Sequence, residues 1–576
     1  MRKGGFYPGF AAQNIKKNGK YYLPYLLAAS LCVAMLYTIF FLNDNGGVSE
    51  LRGAMYVQVF LSLGTGIITI FSAIIIFYTN GFLMKRRRTE IGLYSVLGME
   101  KRHIARLMLW ETIYAALIAI ACGSAAGILF SKLALLLLLK LLGETVPFGF
   151  EVAWGGILWT AIIFAVIFLL CLASNLRRVG TSKPVELLHS VNEGDREPKT
   201  RWFAAVVGVI TLGAGYVIAL RVSSPSDALL MFFVAVLLVI IGTYLLFTAG
   251  SIAILKALRK NKAYYYKTGH FTSVAGMLHR MKRNAAGLAS ICILSTMVLV
   301  TVSTTVCLYL GTEETIDRIY PRDFQIVMAE ADENAMNSAL ASAEKVAEND
   351  GITLTDVACV RYYASDDAMG VSQEAGNALK VNSDGGLVWA TGDETTLPAA
   401  YVGFNVDGDI PNNFGDDILE GMEGPSTYKW ANYRDRASNA SDLHSMTGGF
   451  LFMGLYLGLL FLIATTLIIY YKQVSEGYED AVGYRIMQQV GMSRAEARVS
   501  IGGQIRAVFL LPIAAAAVHI VFAFNMIAKL LEMFSLTNVG LFALCNLFTL
   551  LVFAAIYTVV YLATARAYYR IVRVSG

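Results

Sequence analysis

Charge is what this chain has least of: 15% of its 576 residues are Asp, Glu, Lys or Arg, while 56% are hydrophobic. That excludes an ordinary soluble protein of this length, in which about a quarter of residues are charged. Cysteine is scarce as well. Cys32, Cys122, Cys171, Cys292, Cys307 and Cys545 lie in apolar runs, where they read as small packing residues, and Cys359 stands alone in the one long polar stretch, so no disulfide can form within it. The six histidines show neither His-Glu-x-x-His nor Cys/His spacing, so no metal is expected. No Gly-x-x-x-x-Gly-Lys-[Ser/Thr] loop is present to cradle a phosphate, so nucleotide must be handled by another chain. A Gly-x-Ser-x-Gly elbow and paired carboxylates in an apolar setting are missing too, which leaves no signal of covalent or acid–base catalysis. Residues 1–20 are too long and basic a prelude for a cleaved signal, and no small-residue cleavage site follows.

What is present is apolar length. Ten runs free of charged residues are long enough to cross about 30 Å of hydrocarbon: 21–43, 53–84, 112–131, 152–176, 202–220, 228–255, 284–312, 443–471, 507–528 and 533–565. A polytopic α-helical membrane protein is therefore expected. With the N-terminus inside, the inner segments hold 34 of the 47 basic residues and 11 of the 42 acidic ones. Since Lys and Arg beside spans stay on the cytoplasmic side, both termini are expected there.

Residues 313–442 form the one long connection, with 25 acidic and 8 basic residues, long enough to fold as a small α+β domain outside the cell. Within it 324–329, 352–364 and 378–390 read as strands, the last folded at Asp384-Gly385-Gly386, and 331–350 as an Ala-rich helix ended by Gly351. Its negative charge either draws cationic peptides or keeps the domain soluble.

The chain also repeats itself. A shift of 393 residues lays Gly98-Met99 on Gly491-Met492, Lys101 on Arg494 and Glu111 on Gln504, and "KKN" at 16–18 resembles "KRN" at 282–284. The expected organisation is a cytoplasmic elbow (1–20), a first four-span module (21–176), a cytoplasmic linker (177–201), two inserted spans (202–255) and a second elbow (256–283). A seventh span (284–312), the outer domain (313–442), the last three spans (443–565) that complete the second module, and a cytoplasmic tail (566–576) follow. The modules form a parallel pseudo-dimer. Each elbow is expected to lie flat, apolar face to lipid and cations to headgroups.

The repeated stretches have the make-up of handles. In the first, Glu90 is placed at the start of a short helix, Ile91, Tyr94 and Leu97 share a face beside Gly92, and Gly98-Met99 breaks it, since glycine enters the left-handed region at low cost. In the second, Tyr484, Ile486, Met487, Val490, Gly491, Met492 and Arg494 repeat the pattern, and Ser493 with Glu496 has capping-box spacing for the next helix. Two readings compete: docking knobs for a partner, favoured by the duplication, or helices that merely lie on the membrane. His519, within a span, is either functional or satisfied by packing. Gly123 and Gly127 form a small-xxx-small pair for close helix approach. Lys132 and Lys140 either snorkel to the interface or touch a pyrophosphate headgroup.

"RRRTEIGLYSVLGMEKRHI" (86–104) resembles the cytoplasmic loop of FtsX-like permeases, the membrane subunits of type VII ABC transporters. "SKPVELLHSVNEGDREPK" (182–199) and "YEDAVGYRIMQQVGMSRAEA" (478–497) are similar to the Bce-type branch. The resemblance implies two FtsX-like four-helix modules plus two inserted helices, in a bacterial plasma membrane. It implies that two copies of a cytoplasmic ABC ATPase, which alone binds ATP, dock on the handles and drive the outer domain by mechanotransmission. It further implies a peptide antibiotic or lipid-linked cell-wall precursor as ligand and a membrane sensor histidine kinase as partner, with lipid around the spans and no nucleic acid. A scaffold that controls a kinase or wall hydrolase without transport is the alternative. A secondary transporter would need more ionisable residues deep in the spans.

Overall fold

The computed structural model describes residues 6–49, 54–142, 151–181, 202–260, 268–329, 331–365, 396–408, 410–411, 413–422, 430–489 and 494–574. Among them ten helices are long and apolar enough to cross a membrane, and one four-stranded sheet is present. The chain divides into two compact units: the first comprises Met1–Val306, Gly449–Leu530 and Phe542–Gly576, the second Cys307–Gly448 and Leu531–Leu541.

The first unit is helical. It contains α1 (Phe6–Lys17), α2 (Gly19–Asp44), α3 (Ala54–Val96), α4 (Lys101–Leu142), α5 (Trp154–Thr181), α6 (Trp202–Arg221), α7 (Pro225–Leu245, carried on by a π turn at Leu246–Gly250 and by Ser251–Lys260) and most of α8 (Thr268–Leu310). Several helices outrun their apolar stretches. In α3 the sequence "KRRRTE" follows the apolar run without interruption, because Lys, Arg and Glu are good helix formers and no breaker intervenes.

Helix α2 lies at the centre, with Tyr25, Ala29, Cys32, Val33, Leu36, Tyr37, Ile39 and Leu42 all buried. Its closest neighbour is α4, where the small-xxx-small pair seats: a Cβ on Gly123 would stand 2.5 Å from the Ser30 carbonyl oxygen and the Val33 side chain. The pair α6 and α7 pack on each other, and His519 from the later helix α13 (Arg494–Glu532) joins them, bonded to the Tyr216 hydroxyl at 2.6 Å and Thr243 Oγ1 at 3.0 Å. Of the two readings of His519, the structure favours satisfied packing.

The two segments expected as elbows are both helical where they are described. Helix α1 runs beside the first turns of α4, burying Ala11 and Asn14, because Asn14 finds a buried partner there. The second basic segment is helical from Thr268 and continuous with its span, since its Lys and Arg support a helix as well as the apolar residues that follow.

Helices α3 and α12 (Arg436–Gln489), which carry the two handles, pack side by side through aromatic pairs. Ring centroids lie 3.9 Å apart for Phe60 and Phe450, 4.6 Å for Phe71 and Phe461, and 4.6 Å for Phe82 and Tyr471. Steps of about eleven residues return to nearly the same helix face after three turns, so the seam stays aligned along both helices. The last helix is α14 (Val539–Val574).

The second unit holds α9 (Thr312–Ile319), β1 (Phe324–Ala329), α10 (Glu333–Asp350), β2 (Thr353–Ser365), β3 (Thr396–Asp407), α11 (Phe414–Gly421) and β4 (Trp430–Asp435). The strands run antiparallel in the order β2-β3-β1-β4. Helix α10 turns Ala335, Ala339, Ala343 and Ala347 inward at four-residue spacing; with Ile326, Val402, Phe404, Phe414 and Ile418 they form one core. The helix stops at Gly351, whose φ of 71° is left-handed, as expected. Strands β3 and β4 and helix α11 are additions to the sequence reading; the strand expected at 378–390 lies outside the described residues, as does the motif at 182–199. Burial, with the Glu344 carboxylate next, pushes the Cys359 thiol above its usual range, so it remains protonated at neutral pH.

Asp332 caps α10 by accepting the Ala335 amide at Oδ1, 2.8 Å away. Asp332→Ala is expected to cost about 1 kcal/mol. Hydrogen exchange should show the first-turn amides of α10 exchanging about fivefold faster.

Candidate functional site

The first handle is a corner between two long helices. Helix α3 ends in a Schellman-type turn, with the Met99 amide donating to the Tyr94 carbonyl at 2.9 Å and the Gly98 amide to the Ser95 carbonyl at 3.2 Å. Gly98 makes it possible, at φ 93°. Helix α4 then starts at Lys101.

Two details correct the expected handle. Glu90 does not begin a helix; it lies near the end of α3, accepting from Asn18 Nδ2 at 3.2 Å and Arg87 Nε at 3.3 Å. The exposed face is also different. Ile91 is 3% exposed, packed with Met84, Ile104, Met108 and Leu172, and Gly92 is buried beside it. Tyr94 and Met99 pack partly against the same cluster, while Leu93, Val96 and Leu97 are 48%, 57% and 73% exposed. The reason is rotational: steps of three drift by about 60° each, so Leu97 lies far round the helix from Ile91, whereas Leu93 and Leu97, four apart, nearly coincide.

Behind the corner is a buried polar cluster. Arg87 grips Glu111 with two parallel bonds, Nη1 to Oε2 at 2.6 Å and Nη2 to Oε1 at 2.8 Å. Arg87 Nη1 also donates to the Tyr22 hydroxyl at 2.8 Å, and Asn14 Nδ2 donates to Glu111 Oε1 at 3.0 Å. The Tyr94 hydroxyl reaches Asn14 Oδ1 at 3.5 Å. A cavity of about 20 Å³, room for a single water, lies beside Arg87 and Glu111. Next to it Asn80 and Asn175 exchange amide bonds of 3.1 Å, tying α3 to α5.

The second handle lies between α12 and α13, which end at Gln489 and start at Arg494. Ile486 is 55% exposed. Val490, Gly491, Met492 and Ser493, and the side chains of Tyr484, Met487 and Arg494, lie outside the described residues. Nearby, the Tyr568 hydroxyl donates to Asp480 Oδ2 at 2.6 Å. Under the 393-residue shift Asp480 occupies the place of Arg87, so the two stretches differ in the charge they carry there.

Sequence reading passed over the gripping pair. Its available signal was Glu111, a carboxylate standing at the mouth of an apolar run, where an unpaired charge would be costly. Among the described residues no group of three His, Cys, Asp or Glu side chains could hold a metal.

Comparison with known proteins agrees with the resemblance. Residues 62–184 match the family model described as FtsX-like permease C-terminal, a stretch that contains α4, the corner at Gly98 and the Arg87–Glu111 pair. The chain is 24% identical to the bacitracin export permease protein BceB of Bacillus subtilis, over 84% of this chain and 88% of that protein. It is 22% identical to the uncharacterized ABC transporter permease YvcS of the same organism, over 98% of both. A second BceB, from Halalkalibacterium halodurans, is 21% identical over 84% of this chain and 88% of its own length.

Proposed function

We propose that this chain, which carries an FtsX-like permease segment and is related over most of its length to ABC transporter permeases, is a permease subunit worked by a separate ATPase. Two ATPase copies dock from the cytoplasm on the two corners, bind and hydrolyse all the ATP, and move the helices. Mechanotransmission carries that movement to the sheet-bearing unit outside the cell. The observation that carries the reading is the exposure of Leu93, Val96 and Leu97 beside a left-handed Gly98. Three apolar side chains at a helix end offer a compact knob for a partner's groove. The excess of Lys and Arg in the segments of the corners and termini supports a cytoplasmic placing for them in a bacterial plasma membrane.

The ligand class follows from the relatives. Two of them are named as bacitracin export permeases, which supports a peptide antibiotic acting on lipid-linked cell-wall precursors as the substance detoxified or sensed. A sensor histidine kinase is the further partner proposed. The two four-helix halves form a parallel pseudo-dimer with α6 and α7 inserted, supported by the packing of α3 on α12.

Placing a charge on each knob tests the docking. Leu97→Asp with Ile486→Asp is expected to reduce co-purification of the partner ATPase by about 100-fold, since burying two unpaired carboxylates in an interface costs several kcal/mol. Both side chains are exposed in this chain, so its own stability should hold. Undiminished co-purification and unchanged antibiotic resistance would remove the corners as docking sites.

A further inference from the structure

We infer that Arg87 and Glu111 are positioning residues: a brace across the first corner that makes its two arms move as one body, which the second corner replaces by a link to the last helix. The inference rests on the reading that the corners receive force from an ATPase.

The geometry of a brace is explicit. Arg87 lies about three turns before Gly98 on α3, and Glu111 about three turns beyond the start of α4, so the pair spans the two arms well back from the bend. A single left-handed glycine is a weak joint, and a push on Leu93, Val96 and Leu97 could be lost in bending it. A bidentate guanidinium–carboxylate fork resists both sliding and rotation, because two parallel bonds fix the planes of both groups. The side chains of Arg87 and Glu111 are 3% and 5% exposed, so bulk water has little access to the bonds. Tyr22 and Asn14 extend the brace to α2 and α1, which places four helices under one grip.

The repeat sharpens the point. At the place matching Arg87 the second half has Asp480, and at the place matching Glu111 it has Gln504, so the fork cannot form there. Asp480 instead accepts the hydroxyl of Tyr568 on α14 at 2.6 Å, a link to a helix that is not an arm of the corner. Two identical ATPase copies would therefore push on one braced corner and one corner tied to a different helix.

The test uses the full chain in nanodiscs, with spin labels at Arg88→Cys on α3 and Arg106→Cys on α4 in a cysteine-free background. The parent protein should give one narrow distance distribution, the same without nucleotide and with ATP and vanadate in the ATPase complex. Arg87→Met with Glu111→Leu replaces the pair by apolar side chains of similar bulk, a change that buried ion pairs often tolerate. It should at least double the width of the distribution and lower ATP turnover of the complex about fivefold, with the ATPase still bound. Should that variant fail to fold, Arg87→Lys keeps the charge, loses the fork and should widen the distribution to a lesser degree. A distribution as narrow as the parent's, or full turnover despite a widened one, overturns the brace. Failure of the parent chain to bind any ATPase would overturn the docking reading instead, and the distances in the permease alone would still decide whether the arms are braced.

Discussion

Glu111→Ala is expected to destabilise the helical unit by about 3–5 kcal/mol, the largest loss predicted for a single residue of this chain. The carboxylate is buried and accepts from both terminal guanidinium nitrogens of Arg87 and from Asn14. Truncation removes the nearer and better-buried counter-charge and leaves a guanidinium with little access to water, because only 3% of its side chain is exposed; the carboxylate that remains, Glu90 at 3.3 Å from Nε, is itself 37% exposed and compensates weakly. Tyr22 can satisfy one donor but carries no compensating charge. The penalty thus comes chiefly from the stranded partner, not from the lost attraction. Thermal unfolding in detergent should show a steep fall in midpoint for Glu111→Ala and a much smaller one for Arg87→Met with Glu111→Leu. Equal losses in the two would show that side-chain volume, not charge, holds these helices together.

Gly123→Val should be the next most damaging change. A Cβ there already falls 2.5 Å from the Ser30 carbonyl oxygen and from Val33, and a branched side chain brings two further carbons to the same place. The obstacle is partly backbone of α2, which cannot rotate aside as a long side chain could. The two helices must part, and with them the packing of Val33, Tyr37 and Ala119 opens. The cost is about 3 kcal/mol, at the upper end for overpacking. Unfolding midpoints and cysteine cross-linking between α2 and α4 measure it; a protein that melts and cross-links like the parent would show that the helices have room to spare.

The spans were legible because each needs only a long uncharged stretch, a property of neighbours in sequence. The same holds for Gly98 and Gly351, where one residue type answers a backbone demand. The face of the first corner was only half legible. Spacing by threes suggests that Ile91, Tyr94 and Leu97 go together, but the positions of α4 and α5 decide which side is covered, and they cover Ile91. Strand β3 was missed because Pro398 and Gly403 weaken its signal, although Ala400, Val402 and Phe404 bury it between β1 and β2.

The amino-acid order alone determined that this is a ten-span membrane protein with a separate small sheet unit, that it has no phosphate loop of its own, and that its halves echo each other at Gly98 and Gly491. These follow from local composition and chain chemistry, which act over a turn or a run. Which of the four cations in "KRRR" turns inward to meet a carboxylate 24 residues away was decided only in three dimensions. A buried ion pair depends on which helices share a seam, and the free energy that selects one cation from four arises only once water has been excluded from that seam.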